Sequence, residues 1–313
     1  MAITFACQPS KEVRTIGTID RLDPALDAII SPDAKVEIIA DGFDWTEGPL
    51  WLDDKKTLLF SDIPRNSVYK WTEEKGAELY LKPAGFTGDT TDSNEPGSNG
   101  LLLDDEGNLV LCQHGDRRIA MMLAPIDSPK AVYQSIVDKF EGKRLNSPND
   151  AVFNNDDLYI TDPPYGLFKG VDNPTKEIPF QGVYRAAADG RLILLVDSIT
   201  RPNGIAFSPD GSRLFIASSD PAKAVWYRYD VIRDGAGNVG LAMGKIFYDA
   251  TALTSTEKGL PDGMKIDSNG TIFASGPGGV FIFNQEGKVL GKLNCRMHRR
   301  LTPLFRRMRR RCS

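Results

Sequence analysis

The sequence predicts an all-β fold of the propeller kind, and three observations predict it. Five short turns recur along the chain: Thr46-Glu47-Gly48-Pro49, Ser98-Asn99-Gly100, Ser147-Pro148-Asn149-Asp150, Pro202-Asn203-Gly204 and Pro261-Asp262-Gly263. Their spacing is near-constant, 52 residues from Gly48 to Gly100, then 50 to Asp150, 54 to Gly204 and 59 to Gly263. Each turn leads into two apolar runs joined by an Asp-, Asn- or Gly-rich turn, which is a hairpin pattern, and no long helical periodicity intervenes. A period near fifty indicates stacked supersecondary units. Three to four strands per unit indicate propeller blades.

The units follow in order. After Glu47 come Leu50-Trp51-Leu52, a turn over Asp53 to Lys56, the run Leu58 to Asp62, and a further run Ser67 to Trp71. After Asn99 come Leu101 to Leu103, a turn over Asp104 to Asn108, and Leu109 to Cys112. After Asn149 come Ala151 to Phe153 and Leu158 to Asp162. The fourth unit pairs Ile205 to Phe207 with Leu214 to Ala217, then adds Ala224 to Tyr229. The fifth pairs Met264 to Ile266 with Thr271 to Ala274, then adds Gly279 to Phe283. Two polar insertions, 84–98 and 163–181, are long for hairpin loops and are expected to cover the cavity and set specificity.

A chain of 313 residues with 41% hydrophobic content, 29 glycines and 20 prolines suits one turn-rich β domain. No apolar stretch is long enough for a membrane-spanning helix. There is no Gly-Lys-Ser/Thr phosphate loop, no nucleotide-binding glycine fingerprint and no Gly-x-Ser-x-Gly elbow. Two histidines make a Ser-His-Asp triad an improbable engine. Cys7, Cys112, Cys295 and Cys312 follow neither zinc nor disulfide spacing, and Cys112 reads as a buried strand residue.

Several motifs together resemble the SMP-30/gluconolactonase family: Glu47-Gly48-Pro49-Leu50-Trp51, Arg144 to Asp150, Thr161-Asp162-Pro163-Pro164-Tyr165-Gly166 and Pro261-Asp262-Gly263-Met264. The resemblance spans roughly residues 35 to 292 and implies a six-bladed propeller with one divalent cation, most often Ca2+, on its axis. It implies Glu47, Asn149, Asn203 and Asp262 as metal ligands, Asp262 as the acceptor of the water proton, and sugar lactones as substrates. Related enzymes cleave organophosphates, so phosphotriesters or aryl esters are an alternative at the same site. A non-catalytic platform with a structural cation is another.

Residue chemistry agrees with that implication. Carboxylate and amide oxygens without thiolate or imidazole suit a hard cation, with Mg2+, Mn2+ or Zn2+ as alternatives to Ca2+. Asn or Asp before Gly commonly caps its own turn, but four at matching repeat positions point to a shared site. Asn99, at the equivalent turn of the second unit, is expected either to touch substrate or to serve its turn. His114 ends a hairpin strand and is a candidate substrate contact, as is Asn149. Arg144 is another, with Asp162 beside it; the bland reading is that these two pair or cap the strand end.

The expected organisation is a leading segment 1–34, a propeller 35–293 and an atypical tail 294–313. Arg296 to Arg311 contains eight arginines and no hairpin where a sixth unit is expected. Without them the body has 30 basic against 42 acidic residues, a net of −12. The tail reads as a truncated or frameshifted terminus that leaves the last blade incomplete, and not as a nucleic-acid-binding arm. Residues 1–7 are too short for a signal peptide, yet they resemble the end of a lipoprotein signal with Cys7 as the lipidated position. Cytoplasmic and envelope locations both stay open, as does the oligomeric state.

Overall fold

Five antiparallel sheets of four or five strands, with a two-stranded ribbon beside them, follow one another in a computed structural model that describes residues 13–234 and 239–295. Blade 1 comprises Thr46–Leu52, Thr57–Asp62, Ser67–Thr72 and Gly76–Leu81. Blade 2 comprises Ser98–Leu103, Leu109–Gln113, Arg118–Met122 and Tyr133–Val137. Blade 3 holds Ala151–Asn154, Asp157–Asp162, Gly182–Ala186 and Leu192–Val196. In blade 4, Pro202–Phe207 and Arg213–Asp220 precede the long strand Lys223–Arg233, whose first half pairs with Lys245–Asp249 and whose second half pairs with Val239–Leu241. Blade 5 runs Met264–Ile266, Ile272–Gly276, Gly279–Phe283 and Val289–Asn294, and Thr18–Arg21 adds a fifth strand at its outer edge.

The first hairpin of every blade closes on an equivalently placed left-handed residue: Lys56, Gly107, Asn155, Gly211 and Gly270. Gly accepts that backbone freely, and Asn is favoured there among the rest. Side chains then alternate between faces, and each face packs on the neighbouring blade. Leu59 and Val68 meet Leu109 and Leu111; Val110 and Cys112 meet Leu158 and Ile160. Tyr159 meets Ile216, and Trp226 meets Phe281 and Phe283. Each fully buried apolar side chain contributes about 1.5–3 kcal/mol, so the core is a set of inter-blade layers. Cys112 is buried and free, as its strand position predicts.

The described residues build five blades and not the expected six. The fifth blade ends at Asn294, and the tail where a sixth unit was looked for lies outside the described residues. The inner rim records the difference. A Cβ on Gly48, Gly100 or Gly204 would stand 2.1, 2.9 or 2.3 Å from the next blade, whereas one on Gly263 would meet nothing within 4 Å. Between blades 5 and 1 the N-terminal segment forms the link instead. Leu26, in the 3-10 turn Pro24–Ala28, and Ile30 pack on Val280 and Ile282 of blade 5. Phe43 packs on Leu58 and Phe60 of blade 1, and the Trp71 indole donates to Ile39 O at 3.1 Å. No helix among the described residues is long and apolar enough to cross a membrane.

Candidate active site

The recurrent Asn, Asp and Glu residues sit at the head of each inner strand, not in hairpin turns. In blades 1, 2 and 4 the ladder shifts register there, between Glu47 and Leu50, Ser98 and Leu101, and Pro202 and Ile205. Such bulges re-aim a side chain out of the sheet pattern. Blades 3 and 5 share a second version. Asn149 N donates to Thr161 O and Thr161 N to Asp150 O; Asp262 N donates to Ser275 O and Ser275 N to Gly263 O.

Hydroxyls at the ends of the second strands clasp these heads from the preceding blade. Ser61 Oγ donates to Asn99 O at 3.0 Å, Thr161 Oγ1 donates to Asn203 O at 2.7 Å, and Ser219 Oγ donates to Pro261 O. Between blades 2 and 3, Gly100 N donates to Asn149 O at 2.9 Å. The clasps place the heads of successive blades side by side around one axis.

The result is an acidic rim of half-buried Glu47 and Asp262 with buried Asp150. Burial, and then the charge of Asp262, hold the Glu47 carboxyl well above the usual carboxylate range. The Trp45 indole offsets this in part by donating to Glu47 Oε1 at 2.8 Å. Burial pushes Asp262 up to about 6, helped by Asp150 and opposed by the Gly263 N–H and the Asn203 side chain. Asp150 is also raised by burial, against the pull of Lys265. Glu95, from insertion 84–98, adds its charge to both Glu47 and Asp262.

Of the expected residues, Glu47, Asn203 and Asp262 share this rim by contact or charge, and Asn149 stands at the equivalent head of blade 3. Asn203 Nδ2 lies 3.1 Å from Ser219 Oγ. Asn99 holds the equivalent place in blade 2 and lends its carbonyl to the clasp from Ser61. His114 is fully buried behind Gly166; its Nδ1 is 3.6 Å from Glu95 Oε2, and neither ring nitrogen has a hydrogen-bond partner. Arg144 stands apart, donating to Asp116 O at 3.1 Å and lining a cavity beneath the insertions. Asp162 neither pairs with Arg144 nor enters the rim: its carboxylate accepts the Asn146 and Ser147 N–H groups at 2.7 and 2.8 Å.

Glu95, Asp150, Trp45 and Tyr165 are the rim residues that sequence reasoning passed over. The Tyr165 phenol stands near Ser219, Asn203 and Asp262, and burial raises its pKa. The two insertions meet where Ser93 Oγ donates to Gly166 O at 2.7 Å.

The donors present fit a hard divalent cation: oxygen-only groups, with buried carboxylates that repel one another. Among the described residues no three His, Cys, Asp or Glu side chains could hold a metal alone. Glu47 and Asp262 would therefore need the amide oxygens of Asn149 and Asn203 to complete a site.

Comparison with known proteins agrees with the fold. The SMP-30/Gluconolactonase/LRE-like region model matches residues 45–306. A gluconolactonase of Zymomonas mobilis is 38% identical over 286 residues, covering 90% of this chain and 78% of that protein. A pentonolactonase of Haloferax volcanii is 25% identical, covering 79% and 72%. Among solved structures, a gluconolactonase of Xanthomonas campestris superposes with a TM-score of 0.74 at 28% identity, covering 92% and 89%. A calcium-binding regucalcin of Agrobacterium tumefaciens, at 17% identity and a TM-score of 0.55, covers 80% and 74% and shares the fold.

Proposed function

The chain belongs to the SMP-30/gluconolactonase/LRE-like family, and from that premise we propose that it is a lactone hydrolase opening a sugar lactone to its aldonic acid at the acidic rim. The observation that supports the proposal is that Glu47 and Asp262, at the inner ends of blades 1 and 5, are near enough for the charge of Asp262 to raise Glu47, with the Asn203 side chain of blade 4 bonded to Asp262.

Glu47, Asn149, Asn203 and Asp262 would hold one divalent cation, Ca2+ first among candidates. Such a cation supplies Lewis-acid polarisation of the lactone carbonyl. The chain's own groups do the rest. Asp262, steadied by the Gly263 N–H and Asn203, accepts a proton from the attacking water. The water oxygen bonds to the carbonyl carbon, the acyl–oxygen bond of the ring breaks, and the ring oxygen leaves as a hydroxyl after taking a proton. The Tyr165 phenol, kept protonated by burial, lies next to Asp262 to donate to a substrate oxygen. The joined insertions limit water in the rim, which strengthens every charge within it.

The test is a pH-indicator assay on gluconolactone and a panel of sugar lactones, after chelation and after return of Ca2+, Mg2+, Mn2+ or Zn2+. Turnover that needs a metal and is lost in Asp262→Ala supports the reading. A folded protein with no turnover on any lactone or metal overturns it.

A further inference from the structure

Beneath the two insertions lies a second cavity of about 550 Å3, whose lining includes Arg117, Arg144, Thr90, Asp92, Ser93 and Thr175. Gly115 and Gly166 also line it, so it shares a wall with His114 and Tyr165 but is separate from the acidic rim. Arg117 is 5% exposed and held at φ 59°, a backbone conformation that a non-glycine residue keeps only where its surroundings enforce it. Its Nε donates to Leu145 O and Asn146 O, its Nη1 donates to Thr175 O, and its Nη2 has no partner. Arg144 contributes a second guanidinium, spent only on the Asp116 carbonyl. Neither arginine is ion-paired among the described residues. Glu177 takes the backbone N–H of Arg144, Asp162 is occupied by its own two N–H groups, and Asp92 sits exposed at the mouth. Burial and the neighbouring Arg144 both lower the pKa of Arg117, opposed by the charges of Glu177 and Asp162.

We propose that this cavity binds the oxyanion group of a small hydroxylated molecule, a carboxylate or a phosphate monoester, through Arg117 and Arg144. Paired guanidiniums match the planar or tetrahedral oxygens of such groups. A role for Arg117 as a clamp between Leu145, Asn146 and Thr175 accounts for its carbonyl bonds. It leaves unexplained why a second unpaired arginine faces the same space. The proposal is independent of the axial chemistry, because its readout is binding.

Isothermal titration of the whole chain with gluconate, inorganic phosphate and neutral glucose tests it, in wild type, Arg144→Gln, Arg117→Lys and Asp262→Asn. Gluconate or phosphate, whichever carries the recognised group, is expected to bind wild type and Asp262→Asn alike. Binding should weaken about tenfold or more in Arg144→Gln, with the thermal midpoint unchanged because that side chain is exposed. The Arg117→Lys variant, which keeps the charge and loses the fork, should weaken it as well; if it misfolds, the Arg144→Gln arm decides alone. The proposal is overturned if neither anion binds wild type, if glucose binds as well as the anions, or if binding survives Arg144→Gln. It is equally overturned if binding is lost in Asp262→Asn, since the ligand would then sit on the acidic rim.

Discussion

Glu47 and Asp262 are half-buried acids of raised proton affinity, Glu47 through burial and the charge of Asp262, Asp262 through burial and the charge of Asp150, and among the described residues neither has a basic side chain bonded to it. That arrangement costs stability unless a cation enters. Chelation of metal-loaded protein is therefore expected to lower the thermal midpoint, and Ca2+ to restore it; a ligand at about 100 times its Kd adds about 2.7 kcal/mol. In Glu47→Gln the calcium-induced rise should shrink, as followed by differential scanning calorimetry. Asp262→Asn keeps the shape and removes the proposed proton acceptor, so kcat should fall by about 10^2–10^4-fold in the lactone assay. The clasp residues act more gently. Thr161→Val removes the donor to the buried Asn203 carbonyl, which should cost about 1–3 kcal/mol in urea unfolding.

The inner-strand head is the element that turns a common Asn-Gly or Asp-Gly pair into a site. Its glycine lets the next blade approach closely: a Cβ on Gly204 would stand 2.3 Å from Asp262 O. Backbone cannot yield as a flexible side chain can, so Gly204→Ala should push blade 5 outward and displace Asp262. The expected cost is about 1–3 kcal/mol, with kcat falling more than stability alone explains. The second-strand end has its own device, an aspartate accepting two backbone N–H groups, at Asp62 in blade 1 and Asp162 in blade 3. Burial pushes Asp162 up to about 7, against its ordinary 3.8, despite those two bonds. A carboxyl whose folded pKa is raised stabilises the fold fully below pH 3.8, and that stabilisation is lost as pH rises through 7. The thermal midpoint should accordingly fall between about pH 4 and 7 on this account, with a shallower fall in Asp162→Asn.

Across the whole molecule, five blades pack face to face in sequence, while the N-terminal segment joins the last to the first. Leu26 and Ile30 cover one side of that junction, and Phe43 with the bond from Trp71 to Ile39 covers the other. The segment is thus part of the core. Leu26→Ala, at a fully buried position, should cost about 2–5 kcal/mol in urea unfolding. The inner rim beside Gly263 stays open among the described residues, and Glu47 and Asp262 come from the two blades that flank this opening.

Period and alternation are local properties of the chain, so the hairpins, the blade layers and the buried Cys112 were legible from residue order alone. The proposed metal ligands Glu47, Asn149, Asn203 and Asp262 were singled out by the same periodicity, because each occupies an equivalent place in its repeat. Glu95 and Tyr165 lie in the insertions, where no repeat position marks them. Tyr165 stood within a recognised motif and Glu95 carried no signal. Arg144 and His114 were grouped with the axial candidates because sequence cannot say which way a loop folds; tertiary structure places Arg144 with Arg117 and His114 against Glu95. The five repeat units among the described residues were countable in the sequence, whereas the use of residues 13–45 to join blade 5 to blade 1 was decided by packing. Sequence determines which residues can pair with their neighbours, whereas closing a ring depends on which distant surfaces are left to bury.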